Sequence, residues 1–340
     1  MKNGKILVVG GAGYIGSHVV MELIKHGWDV VILDNFSTGN IRLVHPDACL
    51  VKGTLDDVNL LDQLFAEHKF SAVMHFAAFS QVAESVREPL RYYRNNISGT
   101  INLLEAMIRH SILYFIFSST AAVYGDPECI PILETHPCRP SNPYGRTKLM
   151  IEHLLSDCDA AHGFRYMTLR YFNAAGADES GTIGEMHNPE THLIPIVLEA
   201  AAGLREHVYL YGTDYSTPDG TCIRDYIHVS DLAGAHLLAL KTLLNNGKSN
   251  IYNVGNETGY SVKEVIEKAE EIVGKRIPVI ETNRRPGDPA TLIASSEKIR
   301  MELGWTPSYG SLDAMILTAW NWLAQSNRSN NAKSYQKRQA

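Results

Sequence analysis

Seven residues near the start of the chain, Gly10-Gly11-Ala12-Gly13-Tyr14-Ile15-Gly16, limit its fold more than any others. They follow an apolar run, Lys5–Val9, and open an amphipathic segment, Tyr14–His26. A strand that turns into a helix through glycines leaves the helix N-terminus open, where free N–H groups attract phosphate. The glycines permit a tight turn, close approach of a pyrophosphate and close packing of helix on strand. Asp34 ends the next apolar run, 18 residues after Gly16. A carboxylate there suits a ribose 2′-hydroxyl and repels a 2′-phosphate, so the turn predicts NAD rather than NADP.

The alternation continues beyond this turn. Lys5–Val9, Asp29–Leu33, Cys49–Val51, Ala72–Phe76, Leu113–Ser118 and Tyr166–Tyr171 read as strands. Tyr14–His26, Leu60–His68, Arg91–His110 and Tyr144–Ala161 read as helices. Strands that are apolar almost throughout belong to a parallel sheet covered on both faces. After Tyr171 the pattern is less regular. Asn173–Glu190 and Tyr209–Gly220 read as loops; Leu193–Ala202, Ser230–Leu244, Ser261–Val273 and Leu312–Ala324 read as helices. The expected fold is α/β. A Rossmann-type doubly wound parallel sheet covers residues 1–175, with part of 224–256 packing on it, and a smaller mixed α/β substrate domain covers 176–325. Residues 326–340 are polar without an apolar period and are expected to be a disordered tail.

Composition excludes several classes. Of 340 residues, 45% are hydrophobic and 20% charged, which is ordinary for a globular chain. A net charge of -6 argues against a nucleic-acid partner. The five cysteines are odd in number and none forms a CxxC, which suits free thiols in a reducing compartment. No run reaches the roughly 18 apolar residues of a membrane span. The start does not read as a signal peptide. A soluble, cytoplasmic protein is expected. The histidines look scattered in sequence, so no metal is expected.

Chemistry is carried by Tyr144-Gly-Arg-Thr-Lys148, at the start of a predicted helix. Residues four apart share one helix face. Tyrosine titrates near 10 in water, too high for a base at neutral pH. A neighbouring ammonium and a cationic nicotinamide would lower that value. Tyr144 would then take the proton of a substrate hydroxyl while hydride leaves its carbon. Lys148 would also hold the nicotinamide ribose. Ser118-Ser119-Thr120 ends the fifth predicted strand, where ligands bind in such sheets, and Thr120 can bridge substrate and Tyr144.

Glycine turn, Ser/Thr and Tyr-x-x-x-Lys, in that order, resemble the extended short-chain dehydrogenase/reductase family, and within it the UDP-glucose 4-epimerases. The similar stretches include GGAGYIGSH (10–18), LDNFSTGN (33–40), ESVREPLRYYRNNISGT (84–100), SNPYGRTKLMIE (141–152), LRYFNAAGA (169–177), RDYIHVSDLA (224–233), RRPGD (284–288) and LGWTP (303–307). The resemblance spans residues 10 to about 307. It implies that Gly10, Gly13, Gly16, Tyr14 and Ile15 meet the pyrophosphate. Asp34, Asn35, Phe36, Ser37, Thr38 and Gly39 would surround the adenosine ribose, with Thr54 and Leu55 near the adenine. Phe76, Ala77, Ala78, Ser80 and Asn95 would line the middle of the cofactor and Phe172 its nicotinamide end. Asn173, His192, Leu193, Tyr209, Tyr211, Arg224, Tyr226, Arg285 and Asp288 would grip the UDP of a UDP-hexose, the arginines on its diphosphate. Leu292 would gate the hexose 2-substituent. Its intermediate size implies that UDP-N-acetylhexosamines are also accepted.

The chain departs from the family pattern at several places. Thr54 stands for an Asp, Ser80 for a Lys found in some members, His192 for an Asn, Val9 for a frequent Thr, and Thr120 for a Ser. None removes a catalytic group. Related 4,6-dehydratases carry Asp-Glu where this chain has Ala121-Ala122, which argues against dehydration. A UDP-glucuronate 4-epimerase and a non-catalytic NAD-binding sensor remain as alternatives. The helices Arg91–His110 and Tyr144–Ala161 resemble the family's dimer-forming pair, so a homodimer is expected.

Overall fold

The computed structural model describes residues 3–285 and 288–337, with side chains described as far as 326. The first half runs β1 (Lys5–Val9), α1 (Tyr14–Lys25), β2 (Asp29–Asp34), β3 (Cys49–Lys52), α2 (Val58–Glu67), β4 (Ala72–His75), α3 (Val82–Arg87), α4 (Pro89–Tyr92), α5 (Gly99–Arg109), β5 (Tyr114–Thr120), α6 (Pro143–His162) and β6 (Arg165–Tyr171). The second half runs β7 (Asn173–Ala175), α7 (Leu193–Ala201), β8 (Val208–Tyr211), β9 (Ile223–His228), α8 (Val229–Leu244), β10 (Asn250–Val254), β11 (Gly259–Ser261), α9 (Val262–Val273), β12 (Val279–Thr282), β13 (Thr291–Leu292), α10 (Glu297–Leu303) and α11 (Leu312–Lys337).

Seven strands form one parallel sheet in the order β10-β6-β5-β4-β1-β2-β3. The strand β1 shows why its sequence is apolar throughout. Ile6 and Val8 pack with α1 and α8 on one face, and Leu7 and Val9 with α2, α5 and α6 on the other. Strand order reverses between β1 and β4, and the crevice at the carboxyl ends of the strands there is where such sheets bind ligands. Beside this body, β7, β9, β11 and β13 form a small sheet, β8 pairs with β12, and α7, α9 and α11 bury a separate core.

The structure differs from expectation in five places. The predicted helix Arg91–His110 is interrupted by a π-helical turn, Tyr93–Ser98, between α4 and α5. Apolar periodicity does not register a one-residue change in helical winding. The short helix α3 and the strand β7 fall where loops, or nothing regular, were expected. Residues 208–211 are a strand rather than the start of a loop. Finally, α11 continues to Lys337, so the disordered tail expected from 326 is corrected to helix through 337. Residues 325–337 hold no Gly or Pro, and elongating an anchored helix needs no new nucleus. Residues 338–340 lie outside the described residues. Among the described residues, no helix is long and apolar enough to cross a membrane. All five cysteines are free.

Candidate active site

The glycine turn lies at the switch point. Gly10 has φ 82, and a Cβ on it would come 2.6 Å from the Ala77 backbone nitrogen. Only glycine fits that backbone and that space. Gly13 caps α1 without a side-chain hydrogen bond, so the helix N-terminus stays open to a ligand. Asp34 is buried; its Oδ2 accepts from Ala12 N at 2.9 Å and its Oδ1 from Phe36 N at 2.8 Å. These bonds fix the carboxylate, and each oxygen keeps a lone pair for a ribose hydroxyl. A 2′-phosphate would meet this fixed negative charge. The residues fit NAD.

Around this floor the structure gathers most of the predicted cofactor residues. One end of the cleft is lined by Gly10, Gly13, Asp34, Asn35, Ser37, Thr38, Gly39, Thr54, Leu55, Phe76, Ala77, Ala78 and Asn95. The wider end adds Tyr14, Ile15, Gly16, Ser80, Thr120, Tyr144, Lys148, Phe172, Asn173, His192, Asp288 and Leu292. Phe36 lines neither end; it turns the chain with φ 58. The π-helical turn carries Asn95 into the lining, while Asn96 beside it is buried and donates to Thr147 Oγ1 at 3.0 Å.

The reacting end is built by β5 and α6. Asn142 caps α6 by accepting from Gly145 N at 2.9 Å, and Pro143 supplies the first helical residue. Tyr144 therefore enters on the first turn and Lys148 one turn later on the same face. Thr120 ends β5, accepts from Ala122 N at 3.1 Å and lines the wide end of the cleft. Lys148 Nζ donates to Ser118 O at 2.7 Å and lies 4.8 Å from the centroid of the Phe117 ring.

In the protein without cofactor, burial governs the protonation of both groups. Burial raises the Tyr144 phenol well above its ordinary value, and Tyr171 raises it further. A hydrogen bond to Thr120 pulls the other way but does not prevail. Burial pushes Lys148 down to about 7, against the pull of Glu152. The protein alone therefore holds the phenol neutral. The adjacent ammonium does not by itself make Tyr144 a ready base, because both groups are dehydrated together.

Behind Lys148 lies a buried ion pair. Glu152, one further turn along α6, binds Arg170 at 2.5 Å and accepts from Ser119 Oγ at 2.6 Å. Arg170 also donates to Tyr124 Oη at 2.9 Å, which in turn donates to Asn253 Oδ1 at 2.6 Å. This chain of contacts ties β5, β6, β10 and α6 together directly under the site.

The residues expected to hold UDP are only partly brought together. Asn173, His192, Asp288 and Leu292 line the wide end. Arg224 reaches that wall through Asp288, at 3.0 Å. Arg285 lies over the Tyr211 ring, 3.8 Å from its centroid, and Tyr209 is half exposed beside it. These three lie outside the described lining. Leu193 begins α7 against the second core, and Tyr226 is buried within that core. Tyr226 lies outside the described lining of the cleft. Alternation along β9 points Arg224 and Tyr226 to the same face, so strand position alone could not separate a rim residue from a core one.

Sequence reasoning missed Tyr171, whose hydroxyl accepts from Ser118 Oγ at 3.0 Å and which lines the wide end. It also missed His187. The expectation that no histidine clusters with acids is corrected, because the loop before α7 folds Glu185, His187, Glu190 and His192 together. Their spacing in the sequence was the available signal. Burial alone would lower His187, but hydrogen bonds to Glu185 and Glu190 outweigh it and raise the imidazole to about 9. Both imidazoles line the cleft.

An open glycine-bounded helix end, a buried acid at the end of β2 and a Thr–Tyr–Lys set in one crevice have the make-up of a nucleotide-dependent oxidoreductase-type site. In agreement, residues 6–255 match the model of the NAD dependent epimerase/dehydratase family, and the chain belongs to that family. The UDP-glucose 4-epimerase of Halalkalibacterium halodurans is 53% identical over 317 residues, 93% of this chain and 95% of that one. The solved UDP-glucose 4-epimerase of Bifidobacterium longum, in complex with NAD+ and UDP, is 39% identical with a TM-score of 0.90, covering 94% of this chain and 98% of that one. The UDP-Glc/GlcNAc 4-epimerase of Campylobacter jejuni is 43% identical with a TM-score of 0.83, covering 95% and 100%.

Proposed function

We propose that the chain interconverts UDP-glucose and UDP-galactose at C4 through a 4-keto sugar, with NAD bound. The observation that carries this reading is one continuous cleft joining the glycine turn and Asp34 to Thr120, Tyr144 and Lys148. The relatives that cover almost the whole chain are UDP-glucose 4-epimerases, which favours this over the UDP-glucuronate reading. NAD held by the glycine turn and Asp34 would supply the hydride acceptor and donor for C4. Tyr144 Oη takes the C4 hydroxyl proton and gives it back, Thr120 positions that oxygen, and Lys148 supplies the nearby positive charge. The wide end of the cleft holds a cavity of about 380 Å³. That leaves room for the hexose to turn over while Asn173, Asp288 and the neighbouring Arg224 retain UDP.

The decisive experiment is incubation of the purified protein with UDP-galactose and no added NAD. UDP-glucose should accumulate, because the cofactor is regenerated at each turnover and need not leave. No conversion, with or without added NAD, would overturn the reading. We also read the chain as an NAD-binding unit, residues 1–175 with α8 and β10, and a UDP-sugar unit over 176–325. Its free cysteines suit the cytoplasm.

Two finer readings rest on particular residues. Leu292 lines the cleft and is smaller than a tyrosine, which supports turnover of UDP-N-acetylglucosamine as well; undetectable turnover of that sugar beside rapid turnover of UDP-galactose would refute this. Val86, Leu90, Ile101 and Met150 are exposed apolar side chains on α3, α4, α5 and α6. A homodimer through these helices would cover them. Sedimentation equilibrium at micromolar protein should give twice the chain mass, and a monomer mass would refute the dimer.

A further inference from the structure

We propose that Glu185, His187, Glu190 and His192 form a site for a zinc-class divalent cation, which pins the wall of the cleft before α7. The donor atoms of all four lie within 4.8 Å of one another. Four distances cross between imidazole Nδ1 and carboxylate Oε1. His192 to Glu185 is 2.5 Å, His187 to Glu185 2.9 Å, His192 to Glu190 3.4 Å and His187 to Glu190 3.9 Å. A tetrahedral site with bonds of about 2.0–2.2 Å has ligand–ligand edges of roughly 3.3–3.6 Å. The observed distances straddle that edge, so each need change by less than about 1 Å.

The donor set selects the ion. Two imidazole nitrogens with two carboxylate oxygens suit Zn2+, whereas Mg2+ and Ca2+ prefer oxygen alone. Both carboxylates are 6% exposed, too buried to stand without a counter-charge. The imidazoles can supply it by holding protons; a divalent cation supplies it with both imidazoles neutral. The ligands are also held from outside. Glu190 Oε1 accepts from Thr191 N at 2.7 Å and His192 N at 2.9 Å, and Trp322 on α11 donates to Glu185 O at 2.9 Å. Such outer contacts fix ligand orientation. Four protein ligands leave no position for substrate, which makes the site structural. Its effect on the reaction is to hold His187 and His192 in the wall of the cleft.

Metal content tests this without reference to turnover. Protein stripped with a chelator and supplied with Zn2+ should retain one ion per chain after desalting. Co2+ in its place should give the visible bands of a four-coordinate site, with no thiolate charge-transfer band. Glu185→Gln and His187→Gln should each weaken uptake by more than the roughly tenfold lost with an outer-shell partner. No stoichiometric uptake by the native protein would overturn the proposal. A thiolate band would do so too, since it would move the ion to the cysteines, as would uptake unchanged in both variants. If one variant fails to fold, the other and the Co2+ spectrum of the native protein still decide.

Discussion

At the residue scale, the site turns on one proton. Burial and Tyr171 keep the Tyr144 phenol protonated in the protein alone, so the phenol must first release that proton to solvent, favoured by a cationic nicotinamide beside it, before its oxygen can take the C4 hydroxyl proton as hydride leaves. The phenol oxygen is then both acceptor and donor in the two halves of the reaction. Tyr144→Phe keeps the ring and its packing and removes only that oxygen. We expect turnover to fall about 10²–10⁴-fold, the range typical of a lost acid–base group, with UDP affinity nearly unchanged. Steady-state kinetics with UDP titration checks this; turnover within a few-fold of the native value would remove Tyr144 from the role. Asp34 makes a separate prediction. Its oxygens are spent on Ala12 N and Phe36 N as well as facing the cleft, so Asp34→Ala removes a turn contact and a ribose contact together. Purified Asp34→Ala protein should carry little NAD, read as the absorbance ratio after denaturation. NAD retained at native stoichiometry would show that the carboxylate is not a cofactor ligand.

At the scale of elements, α6 sets three groups in line: Tyr144, Lys148 and Glu152 recur every four residues on one face. Glu152 counters the burial that pushes Lys148 down to about 7. Glu152→Gln should therefore lower the lysine further and move the alkaline limb of the pH–turnover profile to lower pH. It also leaves Arg170 charged, buried and unpaired, which costs about 3–5 kcal/mol of stability. Urea unfolding and a pH profile separate the two effects; an unmoved alkaline limb would disconnect Glu152 from Lys148. The pairing of these groups was legible as spacing, because four residues are one turn of any helix. Glu152–Arg170 was not, since it joins α6 to β6 and depends on how the helix lies on the sheet. The same contrast runs through the molecule. β1, α1 and the glycine turn are local patterns, and sequence reads them directly. The π-helical turn that brings Asn95 to the cleft and the meeting of Glu185 with His192 are products of tertiary contact. The burial of Tyr226 in the second core, two residues from Arg224 on the same strand, is likewise a product of tertiary packing.

For the whole molecule, the buried histidines set its behaviour in acid. Burial holds His18, His228 and His236 down to about 4 and His75 to about 3, with Lys148 adding to the effect at His75. Asp178 faces His18 and His228 and resists the shift without reversing it. Each group stays neutral in the folded chain while the unfolded chain takes up a proton below about 6.5. The unfolded state therefore binds more protons between about 6.5 and 4, and stability falls as pH falls through that window. Asp225 works the other way. Burial raises it to about 7, so the folded chain holds one extra proton there and offsets one histidine. His187 and His192, raised to about 9 and about 10 by their glutamates, also hold protons that the unfolded chain takes up only below about 6.5, so the balance turns to loss of stability only below about pH 6.5, each net proton contributing up to about 1.4 kcal/mol per pH unit. Urea midpoints measured in chelator should change little from pH 7 to about pH 6.5 and then drop steadily to pH 5. A flat profile would mean that the histidines are not held neutral. His236 offers the sharpest check. Its ring centroid lies 4.9 Å from that of Phe76, and its Nε2 finds no hydrogen-bond partner among the described residues. Phenylalanine can fill that apolar space without titrating, so His236→Phe should reduce the slope by about one proton's worth while leaving the midpoint near pH 7 little changed. A slope equal to that of the native chain would place the acid sensitivity elsewhere.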